Sequence, residues 1–455
     1  MQGLACPNCR TALSANRCHA CDISFPNLDQ VPFMWAEPGA ALLDWRNRFN
    51  MTMADLESQT ASSDPTRLPA ATRPATRQRI EQLHAALCNH REELTSLLTP
   101  LKVGEALARE THLALATQLP GHHGVLSYST QIFRDWCWGD EENEQVAAHL
   151  YEALDQHGNL HSKSSEGALR ILVLGCGAGR LAYDIHRQFK DAKSWALDSN
   201  PLLCLLGQAM ASGQKVGLTE FPLAPVQPQD VAISRELTAP ATAQDLQFVC
   251  ADATRPPFAA NSFDLIVTPW LIDVIDVGLA DLLTVINPLL DTGGVWLNHG
   301  SVAFNGGLPA NRLDTAEVAA ITEENGFTVA HRDNIALPYL QSPASRNHRE
   351  EIVFTQLAIK TSDIKVKSRP PQHLPEWIVK ANVPVPLSQA FQTQLTTVRI
   401  HAFIMGLIDG ERDINAMAKI LEEQRLMPAA QATQAIRGFL QKMHAEAAAA
   451  QGQKQ

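Results

Sequence analysis

The chain has 455 residues, of which 45% are hydrophobic and 19% are charged, and its formal net charge at pH 7 is -11. A chain of this length exceeds one compact core, so we expect two or three domains. The acidic balance argues against nucleic acid as a partner, because proteins that bind phosphate backbones carry a basic face. A small molecule or a peptide is therefore the favoured partner.

The sequence shows no targeting or membrane signal. We find no basic start followed by an apolar run and a small-residue cleavage site, and no apolar stretch reaches the roughly 20 residues of a membrane span. We therefore expect a cytoplasmic protein without membrane contact. A homodimer is compatible with the sequence.

Four of the nine cysteines lie in the opening segment "CPNCRTALSANRCHAC". They form two C-x-x-C pairs, and four thiolates at about 2.3 Å from one ion complete a closed tetrahedral Zn²⁺ site. A closed site has no open position for chemistry, so the expected role of the zinc is to stabilise a small zinc ribbon over residues 1–35. The predicted ligands are Cys6, Cys9, Cys18 and Cys21.

Residues 36–125 are predicted to combine a linker with a helical cap. The segment "SQTASSDPTRLPAATRPAT" is rich in Ser, Thr, Pro and Ala, a composition typical of a linker or loop. From Arg77 to about Leu119 apolar residues recur at helical spacing, with a break at Pro100. We expect these helices to cover the main body of the protein.

Residues 126–362 are predicted to form the main α/β domain. From "LRILVLGCGAG" onward, apolar strands alternate with helices, which predicts a doubly wound, mostly parallel sheet covered on both faces. A ligand of such a sheet binds at the carboxyl ends of its strands. A proline-rich break at "KSRPPQHLPEW" separates a last region, 372–445, for which helical periodicity and an Asp-Gly turn predict a small helical or winged-helix domain.

A glycine turn directly follows the first strand of the α/β domain. Gly175, Gly177 and Gly179 let the backbone turn tightly and approach a ligand, and Asp198 ends the next strand about 20 residues later. An acid at that place hydrogen-bonds ribose hydroxyls, so the spacing predicts a nucleoside ligand. A nicotinamide dinucleotide and S-adenosylmethionine are the two candidates.

A resemblance that begins at the third strand favours S-adenosylmethionine over the dinucleotide. Asp252 in "FVCADATRPPF", together with "FDLI" and "LLDTGGVWL", resembles the corresponding segments of class I S-adenosylmethionine-dependent methyltransferases. This resemblance implies a Rossmann-like methyltransferase core and S-adenosylmethionine as the cofactor.

Four segments point to one family within these methyltransferases. "STQIFRDWCWGDEEN", "GCGAGRLAYDI", "PWLIDVID" and "GGVWLNHGS" resemble the carnosine N-methyltransferase-like family over about residues 126–360. The resemblance implies that Gln131 and Arg134 contact the methionine carboxylate of the cofactor and that Asp273 holds an acceptor imidazole. The remaining cofactor-binding residues that it implies are Gly175, Gly177, Gly179, Asp198, Ser199, Asp252 and Ala253.

The acceptor half of the site departs from the family pattern, because "SVAFNGG" stands where the family has an aromatic-His pair. The sequence therefore predicts N-methylation of an imidazole- or amine-bearing small molecule or peptide, without specifying carnosine. An RNA base methyltransferase is one alternative, because some have a zinc ribbon ahead of such a core. The other is a precursor-peptide methyltransferase, because "LIDGERDINAMAKILEEQ" resembles small peptide-binding winged helices.

Overall fold

The computed structural model describes residues 3–103, 124–157, 160, 167–304, 309–364, 377 and 382–452. The chain forms two compact units, Met1–His373 and Leu374–Gln455, which are described separately below. This division falls close to the predicted boundary before residue 372. The predicted boundaries within the first unit stay predictions.

Two short hairpins form the N-terminal module, residues 3–35. Strand β1 (Arg17–Cys18) pairs antiparallel with β2 (Ile23–Ser24), and β3 (Asn27–Leu28) pairs antiparallel with β4 (Val31–Pro32). Strands of two residues bury little apolar surface of their own, so this module depends on contacts with the rest of the unit.

Two long helices follow, α1 (Pro38–Ser62) and α2 (Pro74–Leu97). The first five residues of the predicted linker, 58–62, belong to α1. The buried Leu56 anchors the helix just before this polar segment, and the Thr60 hydroxyl is satisfied within the helix by donating to the Leu56 carbonyl at 2.7 Å. Part of the predicted helical cap, 104–123, lies outside the described residues.

The segment ahead of the sheet is helical as well. Helix α3 (Ser129–Phe133) continues into a π-helical turn (Arg134–Trp138), and α4 (Asp140–His157) follows. Wide π-turns are frequent at functional sites, since they change the direction in which side chains project. This turn carries Arg134, one of the predicted site residues.

The central sheet has seven strands in the order β12-β13-β11-β10-β5-β6-β9. The five strands from β11 to β9 run parallel, and β13 lies antiparallel between β11 and β12. The strands are β5 (Arg170–Leu174), β6 (Lys193–Asp198), β9 (Leu246–Cys250), β10 (Phe263–Pro269), β11 (Leu290–Gly300), β12 (Phe327–Tyr339) and β13 (Arg349–Lys360). This is the predicted Rossmann-like methyltransferase fold.

The strand order reverses at β5, which gives the sheet its binding crevice. The chain moves from β5 outward to β6 and β9, then returns to add β10 and β11 on the other side. In a doubly wound sheet the crevice at the carboxyl ends of the two central strands is the place where ligands bind. Here that crevice lies between β5 and β10.

Apolar strands buried on both faces hold this sheet together. In β5, Ile171 and Val173 belong to the core on one face, whereas Leu172 and Leu174 belong to the core on the other face. The covering helices are α5 (Arg180–Gln188), α6 (Pro201–Ala211), α7 (Leu279–Leu289) and α8 (Thr315–Glu324).

Three strands of the α/β domain were not predicted. β7 (Val216–Glu220) and β8 (Ile233–Leu237) form an antiparallel hairpin, and β12 lies at one edge of the central sheet. Along β12, exposed residues alternate with partly buried ones. A strand with one solvated face carries polar residues at every second position, so β12 lacks the continuous apolar run that identifies the central strands.

The second unit is helical in its described part. Helices α9 (Gln389–Gly406), α10 (Ile414–Glu423) and α11 (Ala429–Gly452) pack around a core that includes Ile404 and Leu421. The described residues of this unit include no strand, so they agree with the helical form of the prediction and show no wing. Across the described parts of both units, no helix is long and apolar enough to span a membrane.

Candidate cofactor site and metal centre

The glycine turn leaves β5 with three residues in the left-handed region, Gly175 (φ +71), Gly177 (φ +58) and Gly179 (φ +94). A Cβ at Gly179 would lie 2.5 Å from the Phe248 ring, and one at Gly175 would lie 2.9 Å from Leu271. A Cβ at Gly177 would meet nothing within 4 Å. Packing against the Phe248 ring therefore requires glycine at position 179, the left-handed φ favours glycine at position 175, and Gly177 lies on the open side of the turn.

Trp136 holds the turn from the π-helical segment. Its indole N–H donates to the Ala178 carbonyl at 2.8 Å, and the side chain is buried. The sequence favours only a packing role for this tryptophan. The structure adds a hydrogen bond that fixes the backbone of the glycine turn.

Asp198 lies at the end of β6, directly beside the turn. One carboxylate oxygen accepts the backbone N–H of Gly177 and the other accepts that of Asn200, both at 2.9 Å. Burial raises the pKa of Asp198 to about 6, although these backbone hydrogen bonds act in the opposite direction. The nearby Tyr128 phenol also has a raised pKa, because it is partly desolvated and because it lies near the negative charge of Asp198.

The strand next to β6 supplies the other predicted acid. Asp252 follows β9 and is half-buried, and its Oδ1 accepts the backbone N–H of Thr254 at 2.7 Å. The backbone N–H of Ala251 donates to the Asp198 carbonyl at 2.9 Å, so both acids lie at the same end of the sheet. Ser199 and Ala253 are also predicted cofactor-binding residues; Ser199 is exposed, and Ala253 is half-buried against the core.

Arg134 reaches the site from the π-helical turn. Its guanidinium pairs with Asp135 at 2.7 Å and with Glu142 at 3.4 Å. Burial opposes the charge, but these two carboxylates raise the pKa of Arg134 above its ordinary value. Gln131 lies within hydrogen-bonding range of the Tyr339 phenol, whose ring centroid is 6.0 Å from the Arg134 guanidinium.

Asp273 follows β10, on the opposite side of the crevice. Its Oδ2 accepts the Ser301 hydroxyl at 2.9 Å and the Ala303 backbone N–H at 3.0 Å. Its Oδ1 is buried and has no hydrogen-bond partner among the described residues. The carboxylate is thus fixed in place by one oxygen while the other keeps its capacity to accept an N–H donor.

A group of aromatic and histidine side chains around the buried His299 was not assigned from the sequence. The Trp270 ring lies edge-on to His299 at 4.8 Å and 5.9 Å from Tyr339. Thr355 Oγ1 lies 2.9 Å from Nδ1 of His299 and 3.0 Å from Nε2 of His149. Burial, and then the charge of His149, lower the pKa of His299 to about 3, so its imidazole is neutral at physiological pH.

The four predicted zinc ligands come together in the N-terminal module. Their sulfur atoms all lie within 4.8 Å of one another, with 3.4 Å between Cys9 and Cys18 and 3.9 Å between Cys6 and Cys21. Tetrahedral Zn–S bonds of about 2.3 Å place sulfur atoms about 3.8 Å apart, so this spacing fits one ion. Among the described residues this is the one such group of potential ligands.

Comparison with known proteins defines the class of the α/β domain. Residues 172–297 match a family model described as "Methyltransferase domain". No curated protein matches the chain at a significant level. The matched range runs from β5 into β11 and contains the glycine turn, Asp198, Asp252 and Asp273.

Solved structures match part of the chain at low identity. An S-adenosylmethionine-dependent methyltransferase from Methanosarcina mazei is 13% identical, over 43% of this chain and 93% of that chain, with a TM-score of 0.30. A 16S rRNA (adenine(1408)-N(1))-methyltransferase from Catenulisporales acidiphilia is 14% identical, over 44% and 90%, with a TM-score of 0.31. A protein from Galdieria sulphuraria that is described as a sarcosine dimethylglycine methyltransferase is 12% identical, over 48% of this chain and 87% of that chain, with a TM-score of 0.32.

The class follows from the domain match and the sheet topology. Residues 172–297 match a methyltransferase domain and lie in a Rossmann-like sheet, and S-adenosylmethionine-dependent methyl transfer is the activity that this match supports. The open side of Gly177 beside the Asp198 carboxylate fits the nucleoside part of that cofactor.

Alanine at two positions of the turn should separate stability from cofactor binding. Gly179→Ala should lower the free energy of unfolding by about 2–4 kcal/mol, because its Cβ would collide with Phe248 at a left-handed φ. Gly177→Ala should cost about 1–2 kcal/mol and weaken S-adenosylhomocysteine binding, because its Cβ would occupy the open side of the turn. Urea unfolding without ligand and calorimetric titration measure the two effects, and unchanged affinity in Gly177→Ala would contradict the assignment.

The pKa of Asp198 predicts a pH dependence of cofactor binding. The ionised carboxylate is the better acceptor for ribose hydroxyls, so S-adenosylhomocysteine affinity should hold above pH 6 and fall, by up to about tenfold per pH unit, as the pH drops below it. Asp198→Asn should bind more weakly, with an affinity that no longer changes over this range. Calorimetry between pH 5 and 8 tests this, and an equal pH dependence in both proteins would exclude Asp198 as the titrating group.

Proposed function

We propose that the protein is an N-methyltransferase that uses S-adenosylmethionine to methylate an imidazole- or amine-bearing small molecule or peptide. The observation that carries the proposal is the geometry of Asp273. Its Oδ2 is held by Ser301 and Ala303, and its Oδ1 is buried without a partner among the described residues. A nitrogen nucleophile with an N–H group supplies the donor that this oxygen lacks.

S-adenosylmethionine supplies a methyl group that its sulfonium already activates, so strong acid or base groups are unnecessary. In this proposal Gln131 and Arg134 hold the methionine end, Asp198 holds the ribose, and Asp252 holds the adenine. Asp273 orients the acceptor nitrogen by accepting its N–H, and its charge stabilises the cationic character that the nitrogen gains in the transition state. The protein must also hold the acceptor nitrogen in line with the methyl carbon, at a distance of about 3–3.5 Å.

We further propose that the four thiols bind Zn²⁺ in a structural role. Cys6 and Cys18 are fully buried, and the sulfur spacing fits a closed tetrahedral site. Such a site has no open coordination position, so no catalytic step is assigned to it.

Replacing Asp273 should separate catalysis from cofactor binding. Asp273→Asn should lower turnover by about 10²-fold or more, because the negative charge beside the acceptor nitrogen is lost, while S-adenosylhomocysteine affinity should stay within about twofold. The exposed neighbour Asp276 provides the control, and Asp276→Asn should leave both quantities unchanged. The measurement is transfer of a labelled methyl group from S-adenosylmethionine, with calorimetry for binding.

The acceptor panel should include histamine, an imidazole-bearing dipeptide, a primary amine, a histidine-containing peptide, ribosomal RNA and a whole-cell extract, with labelled products identified by mass spectrometry. Unchanged turnover of Asp273→Asn would remove this residue from the active site. Methylation of RNA that falls steeply with salt would favour the RNA base alternative, because phosphate contacts weaken as ionic strength rises.

A peptide acceptor is supported by one further observation in the second unit. Helix α9 carries exposed apolar side chains at helical spacing, namely Phe391, Leu395, Val398 and Met405. Amphipathic surfaces of this kind bind peptides through apolar anchors. The comparison of small molecules with histidine-containing peptides in the panel decides this point.

If the acceptor is a peptide, a charge on α9 should weaken its capture. Val398→Glu should raise the KM for the peptide about tenfold and leave histamine methylation unchanged, because histamine is too small to contact a second surface. Gln392→Glu adds the same charge at an exposed position on a different face of the helix and serves as the control. Equal effects of the two variants would speak against docking on this face.

A further inference from the structure

The N-terminal module is bonded to the loop that carries Asp252. The backbone N–H of Ala5 donates to the Pro257 carbonyl at 2.7 Å, and that of Met34 donates to the Cys250 carbonyl at 2.8 Å. Asp252 lies between these two attachment points, two residues after Cys250 and five before Pro257. The module therefore bonds to both ends of this loop.

Two of the sulfur ligands are buried in the same contact. Cys6, next to Ala5, and Cys18 are fully buried. They belong to one apolar cluster with Leu4 and Met34 of the module and with Trp195, Val249 and Phe258 of the α/β domain. Leu4 also forms a single antiparallel bridge with Phe258. A change at the thiols is thus a change in the packing against the third strand of the cofactor site.

The contact continues to the ribose side of the site. The Ala251 N–H donates to the Asp198 carbonyl at 2.9 Å, and the Cys250 thiol lies 3.3 Å from the Ser199 carbonyl oxygen. A displacement at the end of β9 therefore reaches both acids of the proposed cofactor site.

We propose that the N-terminal module forms the outer wall of the adenine side, so that metal bound by its four cysteines sets the affinity for the cofactor. This inference rests on the proposed function. A module built from two-residue strands depends on its metal for order. Without the metal, the loop between Cys250 and Pro257 loses its ordered neighbours. Cofactor binding must then order this loop as well, so the free energy of binding becomes less favourable.

Calorimetric titration of the full chain with S-adenosylhomocysteine tests the inference. Zinc-loaded protein, with one Zn²⁺ per chain by elemental analysis, should bind at least about tenfold more tightly than chelator-treated protein, and added Zn²⁺ should restore the affinity. Hydrogen exchange at Ala251 and Thr254 should slow when zinc is bound. Far-ultraviolet circular dichroism establishes that the sheet stays folded in both forms.

Two variants separate the metal from the contact. Cys9→Ser removes an exposed ligand and should lose zinc and cofactor affinity together, whereas Cys88→Ser, outside the module, should lose neither. Leu4→Ala keeps all four thiols and should bind one zinc, yet it should weaken S-adenosylhomocysteine binding by about three- to tenfold, because truncation removes apolar packing from the cluster that Leu4 shares with Phe258.

Three results would overturn the inference and are distinguishable. Equal cofactor affinity with and without zinc would exclude the coupling while leaving the proposed function intact. Failure of the wild-type chain to take up zinc would exclude the metal site. Zinc-loaded protein that binds neither S-adenosylmethionine nor S-adenosylhomocysteine would overturn the proposed function itself.

Discussion

The hydrogen bond from the Gly177 backbone N–H to the Asp198 carboxylate is the interaction on which the site depends. It joins the ends of two adjacent parallel strands through groups that neither strand ladder uses. The N–H can point at the carboxylate because Gly177 adopts a left-handed conformation that costs other residues about 1–2 kcal/mol. The turn and the acid therefore form one unit, and each fixes the other.

Two opposing effects act on the ionisation of the Asp198 carboxylate in this unit. Hydrogen bonds from the backbone favour the ionised carboxylate, but burial prevails and the pKa of Asp198 is raised to about 6. A buried carboxylate that is under-solvated gains most from additional donors, and two ribose hydroxyls are donors of the required kind. The feature that makes this acid costly in the free protein is thus the one that favours a nucleoside.

The sequence predicted those parts of the fold and site that are encoded locally. The run from β5 through the glycine turn to Asp198 combines an apolar strand, obligatory glycines and a strand-ending acid within about 30 residues, and the structure has all three in place. The group around His299 was not assigned because it is assembled from distant segments. Thr355 bonds His299 and His149 only because β13 pairs with β11 and packs beneath α4, and no local spacing reports that pairing.

The position of the N-terminal module follows from a general problem of sheets. β9 is an edge strand of the central sheet, and an uncovered edge presents unpaired N–H and C=O groups that favour aggregation. Phe33 forms a parallel bridge with Cys250, and the next residue, Met34, donates its N–H to the Cys250 carbonyl, so the module covers the edge at its carboxyl end. That end carries Asp252. The loop that carries Asp252 directly follows β9 in the chain. One small module can therefore cover the edge of the sheet and also pack against the loop that lines the proposed site.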